Sequence, residues 1–280
     1  MTHLIADSGG TKTSWILVEA DGQREFETQG INPMRDSEDD IARTLRSLPP
    51  FNATSLFIHF YGAGCMPPYS DTMHRVLQNI FPFARITVDS DMLGAAHALC
   101  GDREGIACIL GTGSNSCLYD GKKIVSNVSP LGWILGDEGS GAVLGRKLVG
   151  NVLKGIFSAE LCQAFAEETG FARIDIIDRV YRQPQPNRFL ASLVPFLGRH
   201  RDSAEVHDFL VDNFRSFFSR NVANYGRRDL PVSFVGGIAS NYTSELEEAA
   251  RLEGFRLGRV LKRPIHGMAD YLTNWNQQAE

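Results

Sequence analysis

Residues 3–18, HLIADSGGTKTSWILV, decide the fold of this chain. A short apolar run ends in Asp7, a glycine-rich turn follows, and a second apolar run begins at Ser14. Apolar runs on either side of a glycine turn predict two neighbouring strands joined by a hairpin. Because glycine has no Cβ, the backbone N–H groups of such a turn can approach a polyphosphate closely. The stretch predicts a phosphate-binding hairpin, and a plain tight turn is an equally good interpretation of these residues alone.

The side chains of this turn offer the chemistry that a nucleotide phosphate requires. The predicted nucleotide-binding residues are Asp7, Gly9, Gly10, Thr11 and Lys12. Thr11 and Thr13 add hydroxyl donors, and Lys12 adds a positive charge. Asp7 would hold Mg²⁺ through water, because that ion keeps much of its hydration shell. The turn lacks the G-x-x-x-x-G-K-[ST] pattern of a Walker A loop.

The chain opens with the order β-β-β-α-β-α-β-α, and a similar pattern restarts after Gly101-Asp102. Residues 106–110 read as a strand, residues 111–115 as a glycine turn and residues 116–119 as a second strand. Helices then dominate, and the last predicted strand is 232–235. Two halves that open alike predict an α/β protein with two similar domains that face one central cleft.

Two further glycine turns extend the predicted phosphate site. Gly111, Thr112 and Gly113 lie between two strands, at the position that corresponds to the first turn. Two such turns in corresponding places of two halves can hold a triphosphate from both sides. Gly236 and Gly237 follow a buried strand and precede a helix, where backbone donors can meet a nucleotide. A simple strand-to-helix turn is the alternative for this last pair.

Carboxylates that follow the strands are candidates for the acceptor side. Asp89 and Asp91 end a strand and begin a helix of small residues. Transfer of a phosphoryl group to an alcohol needs a carboxylate that orients the hydroxyl and accepts its proton. Asp137 could accept hydrogen bonds from sugar hydroxyls, and Trp133 could pack on a sugar ring. An acid at a helix N-terminus is also a good cap, so spacing alone leaves both roles open.

Composition excludes several other classes of function. The net charge is −5 and the sequence shows no strong basic patch, which argues against a nucleic-acid-binding surface. No apolar run is long enough to span a bilayer, and the N-terminus does not read as a signal peptide, so we expect a cytoplasmic protein. The five cysteines form no C-x-x-C pair and the histidines show no zinc spacing, which predicts buried free thiols.

Five motifs, in this order along nearly the whole chain, resemble the N-acetylglucosamine kinase group of the sugar kinase, actin and heat-shock chaperone superfamily. This group also includes ATPases of the benzoyl-CoA reductase type. The motifs are DSGGTKT at 7–13, GTGSN at 111–115, GDEGSG at 136–141, VGGIAS at 235–240 and RPIHG at 263–267. The first two are similar to the family's phosphate motifs, and VGGIAS is similar to its adenosine motif.

The resemblance implies a fold of two ribonuclease H-like domains, as in actin-like ATPases, facing a central cleft. The N-terminal domain would span 1–102 and the C-terminal domain 103–264, with the final helix, 265–280, packed back on the first domain. Asp91, three residues before Gly94, matches the catalytic aspartate. Thr11, Thr112 and Gly237 match nucleotide contacts. The substrate-binding residues implied, together with Trp133, are Asn32, Gly64, Asn115 and Asp137.

The activity implied is phosphorylation of an amino sugar by ATP and Mg²⁺ at the C6 hydroxyl, with N-acetylglucosamine as the first candidate. The segment Gly132–Gly136 is two residues shorter than the usual family spacing. A pocket widened by this change could admit the 3-lactyl group of N-acetylmuramic acid. The small-molecule sugar is the expected partner, with no nucleic acid and no membrane, and a homodimer is left open.

Two other functions fit the same fold. The first is an energy-coupling ATPase of the kind that activates 2-hydroxyacyl-CoA dehydratases, which bridges an iron–sulfur cluster with two cysteines per subunit. Cys65 and Cys100 do not stand in the sequence contexts of those activators. The second is a catalytically silent sugar sensor, which the intact Asp91 and both phosphate turns disfavour.

Overall fold

The protein is described by a computed structural model that covers residues 1–9, 11–51 and 55–278. Its contacts divide the chain into two compact units. Unit 1 comprises Met1–Arg103, Gly121–Ile124 and Arg263–Glu280, and unit 2 comprises Glu104–Asp120 and Val125–Lys262. Among the described residues, none of the helices combines the length and apolar character needed to cross a membrane.

Unit 1 is built on a five-stranded sheet in the order β3-β2-β1-β4-β5. Its strands are β1 (Thr2–Ser8), β2 (Lys12–Glu19), β3 (Gly22–Gln29), β4 (Leu56–Gly62) and β5 (Arg85–Ser90). The first three strands pair antiparallel, whereas β4 pairs parallel to both β1 and β5. Its first three helices are α1 (Glu38–Arg46), α2 (Tyr69–Ile80) and α3 (Asp91–Cys100).

Both faces of the central strand of unit 1 are buried. Leu4 and Ala6 of β1 join a core with Ile41 of α1 and Met73 of α2. Ile5, between them in sequence, is equally buried and points to the opposite face, because side chains alternate along a strand. A strand covered on both sides reads as a continuous apolar run, which explains why β1 was evident from the sequence.

Unit 2 repeats the plan with a second five-stranded sheet, in the order β10-β9-β6-β7-β8. Its strands are β6 (Glu104–Leu110), β7 (Ser114–Asp120), β8 (Ile124–Ser126), β9 (Pro231–Val235) and β10 (Arg256–Leu261). As in unit 1, an antiparallel hairpin, here β6–β7, is extended by strands that pair parallel to it and to each other. The fold class predicted from the sequence is therefore confirmed.

Helices make up most of the rest of unit 2, as the sequence predicts. They are α4 (Gly132–Leu135), α5 (Gly141–Leu153), α6 (Ala159–Thr169), α7 (Arg173–Tyr181), α8 (Pro186–Leu193), α9 (Pro195–Arg199), α10 (Ala204–Arg220), α11 (Gly237–Asn241) and α12 (Thr243–Leu252). Phe214, Phe217 and Phe218 of α10 are fully buried with Phe234 of β9 in one large core. The last helix, α13 (Ile265–Gln278), belongs to unit 1 and packs on α3.

The prediction that 232–235 is the last strand is wrong. Strand β10 pairs parallel to β9 at the edge of the sheet, with an irregular register between Leu257 and Val260. Its sequence, RLGRVL, carries two arginines and a glycine. Such residues suit an edge strand, which needs only one paired side, and they hide the alternation by which strands are recognised.

Two histidines of unit 1, the buried His97 and the half-buried His59, have lowered pKa values. The Nδ1 atom of His97 lies 3.0 Å from the hydroxyl of Tyr61, and its ring stacks on Tyr271. Burial lowers the pKa of His97 from 6.5 to about 4. His59 on β4 also has its pKa lowered to about 4, by burial and then by the charges of His3 and His97.

We expect His97 to make stability depend on pH with a defined sign. Its pKa is depressed in the folded state, so its contribution is complete above pH 6.5 and is lost as the pH falls toward 4. The free-energy advantage of the wild type over His97→Gln should therefore shrink by up to about 3 kcal/mol across that range. Urea unfolding at several pH values measures it. His74→Gln, at an exposed position, is the control. A stability difference between the wild type and His97→Gln that does not change with pH would contradict the prediction.

Candidate active site

The carboxylates of unit 1 gather where three parallel strands end. In the register of β1, β4 and β5, Asp7 lies opposite Tyr61, and Tyr61 lies opposite Asp89. Asp91 follows two residues later as the first residue of α3, whose N-cap is Ser90. The carboxyl ends of parallel strands meet at one edge of a sheet, and ligands of open α/β sheets bind there. The two acids of the sequence motif thus join Asp7 at one edge.

Burial and mutual repulsion perturb these acids. The pKa of Asp7 is raised to about 7, mainly by burial and next by the charge of Asp91, against smaller opposing effects of Arg263 and Lys12. Burial also raises the pKa of Asp91, although its carboxylate accepts a hydrogen bond from the backbone N–H of Met92 at 2.9 Å. Two carboxylates that repel each other in a desolvated place favour either a proton or a cation between them.

Cys65 lies beside the same acids and is a poor nucleophile. Its side chain is buried, and its pKa is raised to about 12 by burial and then by the charges of Asp91 and Asp89. A thiol with such a pKa stays protonated at neutral pH, and it is the thiolate that reacts and binds metals. Cys65, Cys108 and Cys117 are buried, whereas Cys100 and Cys162 are only partly buried, so the prediction of buried thiols holds for three of the five.

In the hairpin between β1 and β2, the side chains divide between structural and exposed roles. Thr13 is fully buried, and its hydroxyl lies 2.6 Å from that of Ser8, which also donates to the carbonyl of Ile31. Thr13 is therefore not available as a phosphate donor, contrary to the expectation from the sequence. Thr13 lies within β2, whereas Thr11 precedes the strand and is exposed. Gly10 lies outside the described residues.

Lys12, which follows the turn of this hairpin, belongs to a cluster of ion pairs. Its ammonium group lies 2.7 Å from Glu27, and the same carboxylate accepts a hydrogen bond from Arg263 at 2.9 Å. Arg263 also donates to the hydroxyl of Ser14, the residue paired with Asp7 across β1 and β2. The two cations next to Asp7 are thus both held by Glu27, a residue that the sequence analysis did not single out.

Asn32 and Gly64, two predicted sugar-binding residues, are in contact. Gly64 adopts a φ of +82°, and a Cβ at this position would lie 2.4 Å from Oδ1 of Asn32. That oxygen accepts a hydrogen bond from the backbone N–H of Met34 at 3.0 Å, which fixes the orientation of the amide. Only glycine combines this conformation with this close approach.

In unit 2 the turn between β6 and β7 is bound to the start of α5. The backbone N–H of Gly111 donates to the carbonyl of Gly113 at 2.9 Å and closes the turn. The carbonyls of Gly111 and Thr112 accept hydrogen bonds from the N–H groups of Gly141 and Ala142, at 2.8 and 3.0 Å. The first turn of α5 thus satisfies its donors within the protein, and no local sequence signal indicated this pairing.

A cavity of about 350 Å³ opens on this turn within unit 2. It brings together Thr112 and Gly237, which belong to two separate predicted nucleotide motifs. Its other lining residues are Gly111, Gly141, Ala191, Val194, Pro195, Ile238, Asn241 and Tyr242. The α8–α9 junction and the end of α11 were not predicted to contribute, because their residues carry no recognisable motif. The size and the largely apolar lining suit a small-molecule site.

Gly236 does not line this cavity but holds β9 against β6. It has a φ of +126°, and a Cβ there would lie 2.2 Å from the carbonyl oxygen of Leu110. Its N–H donates to the carbonyl of Leu261 on β10. The two glycines of the predicted motif therefore have different positions: Gly236 packs within the sheet, and Gly237 lines the cavity.

Asp137 is buried in a strained conformation next to the same turn. Its φ is +51°, which is uncommon for a residue other than glycine. Its carboxylate accepts a hydrogen bond from the backbone of Ser114, but burial and the neighbouring Glu138 raise its pKa to about 6. A Cβ on Gly113 would lie 3.1 Å from the carboxylate. Local strain at a buried acid is typical of residues positioned for a ligand.

Asn115 and Trp133 are already engaged within unit 2. Oδ1 of Asn115 accepts hydrogen bonds from the backbone N–H of Ser116 and from the amide of Asn127, both at 2.9 Å. Trp133 is half-buried against the phenylalanine-rich core.

Comparison with known proteins shows the family to which this chain belongs. No model of a protein family matches the chain. The structure of a protein from Porphyromonas gingivalis, named a "putative N-acetylglucosamine kinase", is 47% identical, covers 97% of this chain and 98% of its own, and has a TM-score of 0.91. This chain belongs to the N-acetylglucosamine kinase family. It is thus a member of a family of sugar kinases, as the motifs predict.

More distant relatives agree with the fold. A protein of the same name from Chromobacterium violaceum is 21% identical over 97% of this chain and 98% of its own, with a TM-score of 0.74. The glucosamine kinase GspK of Vibrio cholerae is 37% identical over 83 residues, which are 30% of this chain and only 28% of that protein. This chain shares its fold with MamK, with a TM-score of 0.54. The two sequences are 13% identical, and the match covers 99% of this chain and 98% of the other.

Because Gly64 lies so close to Asn32, we expect a larger side chain at position 64 to destabilise the protein. Gly64→Ala should lower the free energy of unfolding by about 2–3 kcal/mol, because it adds both a positive φ for alanine and a collision with the Asn32 amide. Gly170→Ala is the matched control, since Gly170 has a φ of +66° with no atom within 4 Å of the added Cβ. Chemical unfolding of both variants measures the difference. Equal losses would show that the Asn32 contact does not constrain position 64.

Proposed function

We propose that this protein transfers the γ-phosphoryl group of ATP to the C6 hydroxyl of an amino sugar, either N-acetylglucosamine or N-acetylmuramic acid. The observation that carries the proposal is the pair of mutually repelling carboxylates, Asp7 and Asp91, at the strand ends of a family member. A phosphotransferase of this kind needs one carboxylate for the alcohol and one for the metal–nucleotide complex. The raised pKa values of both acids support this assignment.

Asp91 is the proposed general base. It would accept a hydrogen bond from the sugar hydroxyl, orient that oxygen and take its proton as the phosphoryl group transfers. Desolvation raises its pKa and therefore its basicity, which brings it closer to the range in which proton acceptors work best at neutral pH. The N–H of Met92 holds one carboxylate oxygen, so the carboxylate is fixed before the sugar arrives.

Asp7 is the proposed metal-side acid, and its surroundings fit Mg²⁺. A divalent cation would relieve the repulsion between Asp7 and Asp91 that raises the pKa of Asp7. In the described part of the chain no three His, Cys, Asp or Glu side chains converge as metal ligands, so the ion would be held by Asp7, water and the nucleotide itself. Bound there, Mg²⁺ would neutralise charge on the β- and γ-phosphates.

The cavity of unit 2 is the proposed nucleotide pocket. Its floor is the backbone of the turn at Gly111 and Thr112, where glycine permits close approach of phosphate. Val194 and Pro195 give an apolar wall, and Asn241 gives a polar group, a combination suited to a base and a ribose. The hydroxyl of Tyr242 already donates to the carbonyl of Val194 at 2.8 Å. The buried carboxylate of Asp137 and the amides of Asn32 and Asn115 would read the sugar.

Replacing the proposed base separates chemistry from binding. We expect Asp91→Asn to lower kcat by about 10²-fold or more, because the amide can still be held by Met92 but cannot accept a proton. ATP binding, measured by calorimetry, should stay near the wild-type value. Asp89→Asn, two residues earlier in β5, is the matched control and should keep most of the activity. The reverse result would move the base to Asp89.

Replacing Asp137 tests the assignment of the acceptor. Asp137→Ala should raise the KM for the sugar far more than the KM for ATP, since its carboxylate is assigned to the sugar alone. In a coupled ADP-release assay, glucose should have a kcat/KM about 10²-fold below that of N-acetylglucosamine, because it leaves a polar contact of the acetamido group unpaired. N-acetylmuramic acid and glucosamine complete the panel. A kcat/KM for glucose equal to that for the amino sugars would refute the amino-sugar assignment, but not the assignment as a sugar kinase.

A further inference from the structure

A second cavity of unit 2, of about 210 Å³, lies outside the proposed nucleotide pocket. Short helix α4, Gly136 and Glu138 form one wall, and α5 and α10 form the others. None of its lining residues also lines the proposed nucleotide pocket. We call it the basic cavity, because its cations are Arg146, Lys147 and Arg220 and its single acid is Glu138.

Helical spacing directs these cations into one space. Arg146 and Lys147 follow Val143 by three and four positions on α5, so the three side chains share one face. Ser216 and Arg220 are four positions apart on α10 and likewise share a face. The basic cavity is where these two faces converge, and it also presents the hydroxyl of Ser216.

The positive charge of the basic cavity is not balanced by the protein. Glu138 lies 3.9 Å from Arg220, a long ion pair, and accepts a hydrogen bond from Asn221 at 3.3 Å. Within the described part of the chain, Lys147 has no acidic partner within 4.0 Å. Its pKa is lowered mainly by burial and next by the charge of Arg146, against the opposing charge of Glu138.

Arg146 is already oriented for a ligand. Its Nη1 atom donates to the carbonyls of Trp133 and Ile134, at 2.8 and 3.1 Å. These carbonyls belong to the four-residue helix α4. The guanidinium is therefore held at the wall of the cavity by backbone contacts that leave its charge uncompensated. A cation fixed in this way loses little freedom when an anion binds.

We propose that Arg146, Lys147 and Arg220, with the hydroxyl of Ser216, form a binding site for a phosphate group. Arginine and lysine are the side chains that recognise phosphate, through charge-assisted hydrogen bonds. Three cations against one carboxylate call for a ligand of two negative charges, which matches a phosphate dianion or phosphomonoester better than a single carboxylate. The ligand would be inorganic phosphate or the phosphate of a sugar phosphate.

Direct binding to the full chain tests the proposal without substrate or nucleotide. Calorimetric titration with sodium phosphate, at constant ionic strength set with sodium chloride, should give saturable binding and a rise in Tm. Lys147→Met and Arg220→Gln should each weaken it about tenfold or more, because each removes a charged contact. Titration with N-acetylglucosamine 6-phosphate distinguishes the sources: a tighter constant, weakened by the same variants, identifies a sugar phosphate, and an equal one identifies free phosphate.

The chain offers a matched control for the loss of charge. Arg251 lies 3.9 Å from Glu248 with a side chain 72% exposed, much as Arg220 lies 3.9 Å from Glu138 with 69% exposed. Arg251→Gln should leave phosphate binding unchanged. Binding that is lost in Thr112→Val but kept in Lys147→Met would assign the phosphate to the nucleotide pocket and overturn the proposal. Phosphate that raises Tm no more than chloride does would also overturn it.

Discussion

The parallel pairing of β1, β4 and β5 is the constraint on which the candidate active site depends. It fixes Asp7, Tyr61 and Asp89 in one row at the carboxyl ends of the strands, and it starts α3 with Asp91 beside them. A shift of one residue in this register would turn Asp7 to the opposite face of the sheet. Buried apolar side chains on both faces of β1 prevent such a shift, so the hydrophobic core indirectly positions the acids.

Unit 2 uses the same strand order for a different purpose. Its first hairpin turn is hydrogen-bonded to the beginning of α5, and the carbonyls of Gly111 and Thr112 are occupied by this contact. The cavity beside that turn is completed by residues of α5, α8, α9 and α11. One repeated plan thus presents carboxylates in one unit and a partly apolar cavity in the other.

Uncompensated charge marks both proposed sites. In unit 1 two acids repel each other, and in unit 2 three cations face a single acid. The two acids do not stabilise the folded protein by themselves, because like charges in a desolvated place raise its free energy. By contrast, Lys12 and Arg263 are matched to Glu27, and Arg201 is matched to the buried Glu245. The contrast supports the view that the unmatched groups are kept for ligands.

The sequence by itself determined the two-sheet α/β fold, most element positions and the residues of the glycine motifs, because apolar periodicity and glycine turns are local signals. It did not reveal β10, whose charges and glycine hide the alternation of an edge strand, or the burial of Thr13. Only the tertiary structure brought Ala191 and Tyr242 to the proposed nucleotide pocket and Arg146 to Arg220. These neighbours are far apart in sequence, and their proximity arises from packing of helices and strands that no local pattern encodes.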